Sequence, residues 1–149
     1  MKLFAEMDVQ RQPDEVQFEL EAWIDTAPFE TLLGLKIEHV AGGEAVLKLP
    51  FTVKLANGGG VMHGGAMTSL ADTAVAMAIK SLLPSGTTFA TTGLTMEFLA
   101  PVISGTVVAR EQVEKYGQRT FQGACQLLGE DQQLYARFTS VFKIARCSR

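Results

Sequence analysis

The segment from His63 to about Leu83 constrains this chain most, because its apolar residues leave almost no polar face for a helix to show to water. Ala66, Met67, Leu70, Ala71, Ala74, Val75, Met77, Ala78, Ile79 and Leu82 fall nearly all round the helical wheel. A helix of that kind is enveloped by other elements rather than laid on a surface. His63, Asp72 and Lys80 interrupt the apolar run, so it does not read as a membrane span. Pro84-Ser85-Gly86 ends it. With 149 residues the chain has room for one domain and a core large enough to need no metal or disulfide staple.

What envelops the helix must be sheet. Leu35–Ala41 and Glu44–Phe51 read as two strands joined at Gly42-Gly43, where positive φ is permitted at both turn positions. Ala45, Leu47 and Leu49 alternate with Glu44 and Lys48. After the helix, Thr88–Ala100, Val102–Lys115, Arg119–Leu128 and Gln133–Ile144 read as four strands in a meander. Within them Phe121, Cys125 and Leu127 oppose Thr120, Gln122 and Gln126, while Leu134, Ala136, Phe138 and Phe142 oppose Arg137 and Lys143. Upstream, Val16, Leu20, Trp23 and Ile24 lie on one helical face, which predicts an amphipathic helix over residues 14–26. Pro28 opens a second short helix, Phe29–Leu33, that stops at Gly34. The expectation is an α+β domain over residues 28–149, preceded by an extension over residues 1–27. One sheet of about six strands wraps one helix.

Charge and cysteine content exclude several classes of function. Acids outnumber bases by 16 to 13, giving a net charge of −3 and arguing against a nucleic-acid binder. The distribution is uneven, with an acidic start before residue 31 and a mildly basic end from Arg110 onward. Cys125 and Cys147 are the only cysteines, and no Cys/His cluster has zinc-ligand spacing, so no metal is expected. Cys125 reads as a core thiol. Residues 1–8 lack an apolar signal region, so a cytoplasmic protein without a membrane segment is expected.

Asp72 carries the chemical interest. A carboxylate within an enveloped helix is costly unless something satisfies or uses it. It could face a solvent gap or pair with Lys80 or an arginine, but Lys80 is eight residues on, beyond the usual i+4 partner. The entrance to the helix, His63-Gly64-Gly65, offers free N–H groups at the positive end of the dipole. Glycine there lets a carbonyl approach closely, which is how an oxyanion is stabilised; equally, it can be only a tight turn. Gly58 to Gly65 fits neither phosphate-loop pattern. Gly64 and Asp72 stand roughly 12 Å apart along one helix. A base and an oxyanion donor should both lie within about 3 Å of the reacting atoms, so one chain does not easily supply both. Cooperation between them would require an isologous dimer with two composite sites.

Asn57-x5-His63-Gly64-Gly65-x6-Asp72, followed by Thr91-Thr92-Gly93-Leu94-Thr95-Met96-Glu97-Phe98-Leu99-Ala100-Pro101, resembles the hotdog-fold acyl-CoA thioesterases. The nearest branch is the phenylacetate-pathway type of the hydroxybenzoyl-CoA thioesterase superfamily, over about residues 28–144. The resemblance implies a hotdog fold and a hydrolase acting on an aryl or small-to-medium acyl-CoA without a cofactor. It implies a homodimer that pairs into a homotetramer. By position, Asp72 would be the catalytic acidic residue, base or nucleophile, and the Gly64 N–H would polarise the thioester carbonyl. Asn57 and His63 would place water or thioester, Thr91 would assist the water or the acid, and Gly65 and Thr92 would touch substrate. Arg110, Lys115, Arg119, Arg137, Lys143 and Arg146 are candidates to meet CoA phosphates, and Glu97 reads as an exposed position. The principal alternative is a non-catalytic hotdog protein that binds acyl-CoA as a sensor or carrier. A hotdog dehydratase would need a catalytic histidine in a motif that neither His39 nor His63 provides.

Overall fold

A computed structural model describes residues 18–146. The elements run α1 (Pro28–Leu33), β1 (Lys36–Ala41), β2 (Glu44–Pro50), a 3-10 turn at Val53–Leu55, α2 (Gly64–Lys80), β3 (Phe89–Phe98), β4 (Thr106–Tyr116), β5 (Thr120–Gly129) and β6 (Leu134–Ile144). All six strands form one antiparallel sheet in the order β1-β2-β4-β5-β6-β3. Its concave face closes on α2, which is buried along most of its circumference.

The local signals act as expected at most ends. Gly34 stops α1 in the left-handed region at φ 84°, and Gly42 and Gly43 turn the first hairpin at φ 59° and 84°. In β2, Ala45, Leu47 and Leu49 point into the core, where they meet Leu70, Ala74, Ile79, Phe121, Leu127 and Phe138. Fully burying each of the larger aliphatic or aromatic side chains contributes about 1.5–3 kcal/mol. Gly123 faces α2 so closely that a methyl group there would collide with Val75, so the helix rests directly on the backbone of β5. Cys125 is a buried thiol, held protonated by its desolvation, and Cys147 lies outside the described residues.

Two expectations are corrected. The last four strands are not a simple meander: β4, β5 and β6 are, but β3 pairs with β6 at the far edge and β4 returns to insert beside β2. The connection between β3 and β4, residues 99–105, contains Pro101 and is longer than a tight hairpin turn, which frees the two strands to part. The helix expected over residues 14–26 is absent over residues 18–26, and residues 14–17 lie outside the described part. Tertiary contacts override the periodicity there. Trp23 Nε1 donates to the Lys80 carbonyl at 2.9 Å, Lys80 Nζ donates to the Trp23 carbonyl at 2.9 Å, and the ammonium sits 4.8 Å from the indole centroid. The extension is thereby fastened to the C-terminal end of α2.

The two edges of the sheet differ. On β1, Lys36, Glu38 and His39 are exposed and a register shift interrupts the strand, features that discourage pairing. β3 is longer, its one charged residue is Glu97, and it exposes Leu94 and Phe98, with Leu99 just beyond its end.

Candidate active site

Asp72 lies half-buried on α2, two turns into the helix. Its Oδ1 accepts a hydrogen bond from the Thr91 hydroxyl at 2.9 Å. Burial pushes the Asp72 carboxyl above its ordinary range, the Thr91 hydrogen bond pulls it back, and the nearby Glu30 pushes it up again. A carboxylate held in this way is a better base than one in water. Lys80 does not pair with it; that ammonium is spent on Trp23.

Thr91 reaches Asp72 because β3 carries a bulge. Thr91 pairs with Phe142 and Gly93 with Val141, so Thr92 is an extra residue in the ladder. Phe142 is buried on the helix side. The bulge therefore turns Thr91, Leu94, Met96 and Phe98 to the helix side, and Thr95 and Glu97 to the outer side. Thr92 itself is exposed and its hydroxyl donates to the Val141 carbonyl at 3.2 Å. This settles which of the two threonines meets the acid.

The N-terminus of α2 is built by His63. Its Nδ1 accepts from Gly65 N at 2.8 Å, and its carbonyl accepts from Ala66 N at 2.9 Å and Met67 N at 3.2 Å. Of the four leading N–H groups, that of Gly64 has no acceptor among the described residues. Both glycines are closely approached by side chains. A Cβ on Gly65 would stand 2.9 Å from His63 Nδ1, and one on Gly64 would stand 2.9 Å from the tip of the Phe98 ring. Gly65 thus lends its N–H to the cap, leaving Gly64 as the open donor.

Asn57 organises the loop before the helix. Its Oδ1 accepts from Gly59 N at 2.9 Å and Val61 N at 3.3 Å, and its main chain bonds Val61 and Gly60. The side-chain amide nitrogen makes no bond among the described residues. Asn57, Met62, Gly64, Met67, Phe98 and Pro101 help line a cavity of about 370 Å³. The glycine donor and the loop thus meet in one pocket, whereas Asp72 and Thr91 lie outside its lining.

Glu97 is exposed, 4.0 Å from Arg137. Arg110 and Arg137 flank Gln126 on neighbouring strands of the outer face, while Arg119 is engaged with the Ile144 carbonyl. No group of metal-binding side chains occurs among the described residues, and no described helix is long and apolar enough to cross a membrane. Two residues escaped the sequence reading. Phe98, inside the quoted motif, covers Gly64; its signal was an aromatic at the end of a strand, just before Leu99-Ala100-Pro101. Glu30 couples to Asp72 only through the packing of α1, for which the sequence holds no signal.

Comparison with known proteins places the chain in a family. A family model described as thioesterase superfamily matches residues 59–136. The acyl-coenzyme A thioesterase PaaI of Escherichia coli is 34% identical over 107 residues, covering 71% of this chain and 74% of that one. The solved structure of E. coli PaaI, from the phenylacetic acid degradation operon, superposes with a TM-score of 0.74 at 30% identity, over 80% of this chain and 86% of that one. The conserved protein PA5202 from Pseudomonas aeruginosa gives a TM-score of 0.78 at 27% identity, over 83% and 97% of the respective chains. The helix-in-sheet architecture, the matched motif region and these relatives agree: the chain belongs to the thioesterase superfamily, as a PaaI-like thioester hydrolase of the hotdog fold.

Proposed function

We propose that the protein hydrolyses the thioester of an aryl or small-to-medium acyl-CoA at sites shared between two copies of the chain. One observation carries this reading: a hydrogen-bonded acid, Asp72, and an open N–H, Gly64, lie eight residues apart on one buried helix beside the edge strand β3. Within one chain they are roughly 12 Å apart and cannot serve one carbonyl. An antiparallel pairing of two β3 edges about an axis at Thr95, with the bulged Thr92 skipped, sets Thr91 opposite the partner's Phe98. Phe98 marks Gly64, and Thr91 marks Asp72. Each site would then combine Gly64, Asn57 and the cavity of one protomer with Asp72 and Thr91 of the other. Pairing would also cover the apolar side chains that β3 exposes.

The parts suit thioester hydrolysis. A thiolate leaves readily, so one base and one oxyanion donor suffice. Asp72 takes a proton from water as the oxygen attacks the thioester carbonyl. The developing oxyanion is held by the partner's Gly64 N–H. Collapse breaks the C–S bond, and the departing thiolate recovers the proton from Asp72, giving a carboxylic acid and free CoA thiol. In the nucleophilic variant the Asp72 carboxylate attacks directly, expels the thiolate and forms a mixed anhydride that water then opens. The Thr91 hydroxyl holds the carboxylate in either course. The exposed arginines, including Arg110 and Arg137, are candidates for CoA phosphates. Pairing of such dimers into a tetramer, and a cytoplasmic site of action, complete the reading.

The test is thiol release from a panel of acyl-CoAs by the wild type and by Asp72→Asn. Release by the wild type, lost by at least about 100-fold in a folded Asp72→Asn, is the expected result. Tight acyl-CoA binding without release of thiol from any substrate would favour a sensor or carrier instead.

A further inference from the structure

Phe98 closes β3 with its ring turned to the helix side and its tip toward Gly64. A Cβ built on Gly64 would stand 2.9, 3.2 and 3.6 Å from Cζ, Cε1 and Cε2, so the end of the ring meets the glycine. The backbone behind the ring is pinned. The Leu99 and Ala100 N–H groups both donate to the Tyr135 carbonyl, at 2.8 and 3.2 Å, and Phe98 pairs with Ala136. The ring itself is exposed, although a side chain of this size stabilises a fold by being buried. It lines the same cavity as Gly64, Asn57, Met62, Met67 and Leu99. We propose that Phe98 is a specificity-determining residue for the acyl group: its ring bounds the space beside the Gly64 N–H and sets how long an acyl chain the cavity accepts.

Distances around Gly64 bring ring and substrate together. A thioester oxygen bonded to the Gly64 N–H lies about 2.9 Å from that nitrogen, which puts the carbonyl carbon about 4 Å away. The ring tip is 2.9 Å beyond a Cβ position that is itself one C–C bond, about 1.5 Å, from the Gly64 Cα. In a helix the free N–H groups and the Cα–Cβ bonds both tilt toward the N-terminus, so the carbonyl and the ring tip stand on the same side of Gly64. The acyl atoms next to the carbonyl must therefore run along the ring. None of the residues lining the cavity is charged, so it suits an acyl group rather than the CoA phosphates. Met62 and Met67 line it from the buried side. Their thioether chains adapt to different shapes, whereas an aromatic ring turns on only two torsions and keeps its own. Discrimination by length thus falls to Phe98. In the proposed pairing the partner's Thr91 faces Phe98, so the ring stands where the acyl cavity and the reacting acid meet.

This role rests on the proposed hydrolysis with Gly64 as donor, so selection is read both with and without turnover. Values of kcat/KM would be measured for straight-chain acyl-CoAs from acetyl to dodecanoyl with the full-length wild type, Phe98→Ala, Phe98→Leu and Phe98→Trp. Phe98→Leu keeps an apolar side chain in case the alanine variant fails to fold. Val53→Ala, at an exposed position outside the cavity lining, is the control. The expected result is an optimum displaced to longer chains in Phe98→Ala and Phe98→Leu and to shorter chains in Phe98→Trp, with Val53→Ala unmoved. One methylene in a fitted pocket is worth about 10-fold or more, so the decanoyl-to-butanoyl ratio of kcat/KM should rise at least about 10-fold in Phe98→Ala. Calorimetric binding of the same panel to Asp72→Asn, with and without Phe98→Ala, should show the same displacement. One chain-length optimum shared by the wild type and all the Phe98 variants would overturn the assignment. So would an equal loss across the panel, which is what a ring serving only the fold or the dimer would give. Absence of thiol release by the wild type from every substrate would instead overturn the hydrolase reading and leave the binding panel to decide Phe98.

Discussion

Thr91 Oγ1 lies 2.9 Å from Asp72 Oδ1, and the bulge at Thr92 is what turns that hydroxyl toward the helix. Without the extra residue, Thr91 would share the phase of Thr95 and Glu97 and point to the outer side of the sheet. The bulge therefore sets both the position and the protonation behaviour of the acid.

Removing this hydroxyl has a defined consequence. Thr91→Val deletes a hydrogen bond to an ionised group, worth about 1.5–3 kcal/mol, so kcat should fall about 10- to 100-fold. The same bond favours the carboxylate, so its loss should move the acid limb of the pH–rate profile to higher pH. Thr91→Ser should restore both. A profile unmoved in Thr91→Val would show that the hydroxyl does not act on Asp72.

Gly64→Ala separates chemistry from folding. The added methyl would approach the tip of Phe98, whose ring is 53% exposed and free to swing aside. Thermal stability should therefore change little. The methyl and the displaced ring should nevertheless obstruct the open N–H, at a cost of about 100-fold in kcat, as for loss of an oxyanion donor. Circular dichroism melts alongside thiol-release kinetics check both halves. Undiminished turnover would remove Gly64 from the site.

Glu111 predicts how stability depends on pH. It is buried on β4 beside Cys125, neither carboxylate oxygen has a well-formed hydrogen bond, and burial pushes it up to about 9 from an ordinary 4.5 against a weaker opposing pull from the nearby Gln112 backbone. Below the lower value it is protonated folded and unfolded. Between the two values only the unfolded chain ionises, so this group should lower stability by about 1.4 kcal/mol per pH unit. Above the upper value the slope vanishes. Urea midpoints from about pH 5 to about pH 9 should thus fall in the wild type and stay flatter in Glu111→Gln. Parallel curves for the two proteins would refute a neutral Glu111.

Much of this was legible in the chain itself, for physical reasons. The enveloped helix, the hairpin at Gly42-Gly43 and the alternation along β5 and β6 are local patterns, and local patterns survive folding when tertiary contacts agree with them. The spacing from Gly64 to Asp72 was readable because a helix has a fixed rise. The edge placement of β3 was not, since strand order depends on long-range pairing rather than on sequence neighbours. The bulge was hidden because Thr91-Thr92-Gly93 offers two equivalent hydroxyls to a pattern reader. The segment around Trp23 misled because its helical periodicity serves a docking contact with Lys80 instead. Glu111 did leave a trace: it continues the inward phase of Val107 and Ala109 at two-residue spacing.

Subunit complementation tests the central claim most directly. Asp72→Asn and Gly64→Ala, each inactive alone, would be co-expressed and purified as mixed dimers, and thiol release measured against the wild type. If each site takes Asp72 from one chain and Gly64 from the other, a mixed dimer holds one site with both defects and one intact site. The purified mixed dimers should then show about half of wild-type activity. Mixed dimers that assemble yet release no more thiol than their parents would contradict a site shared between two chains.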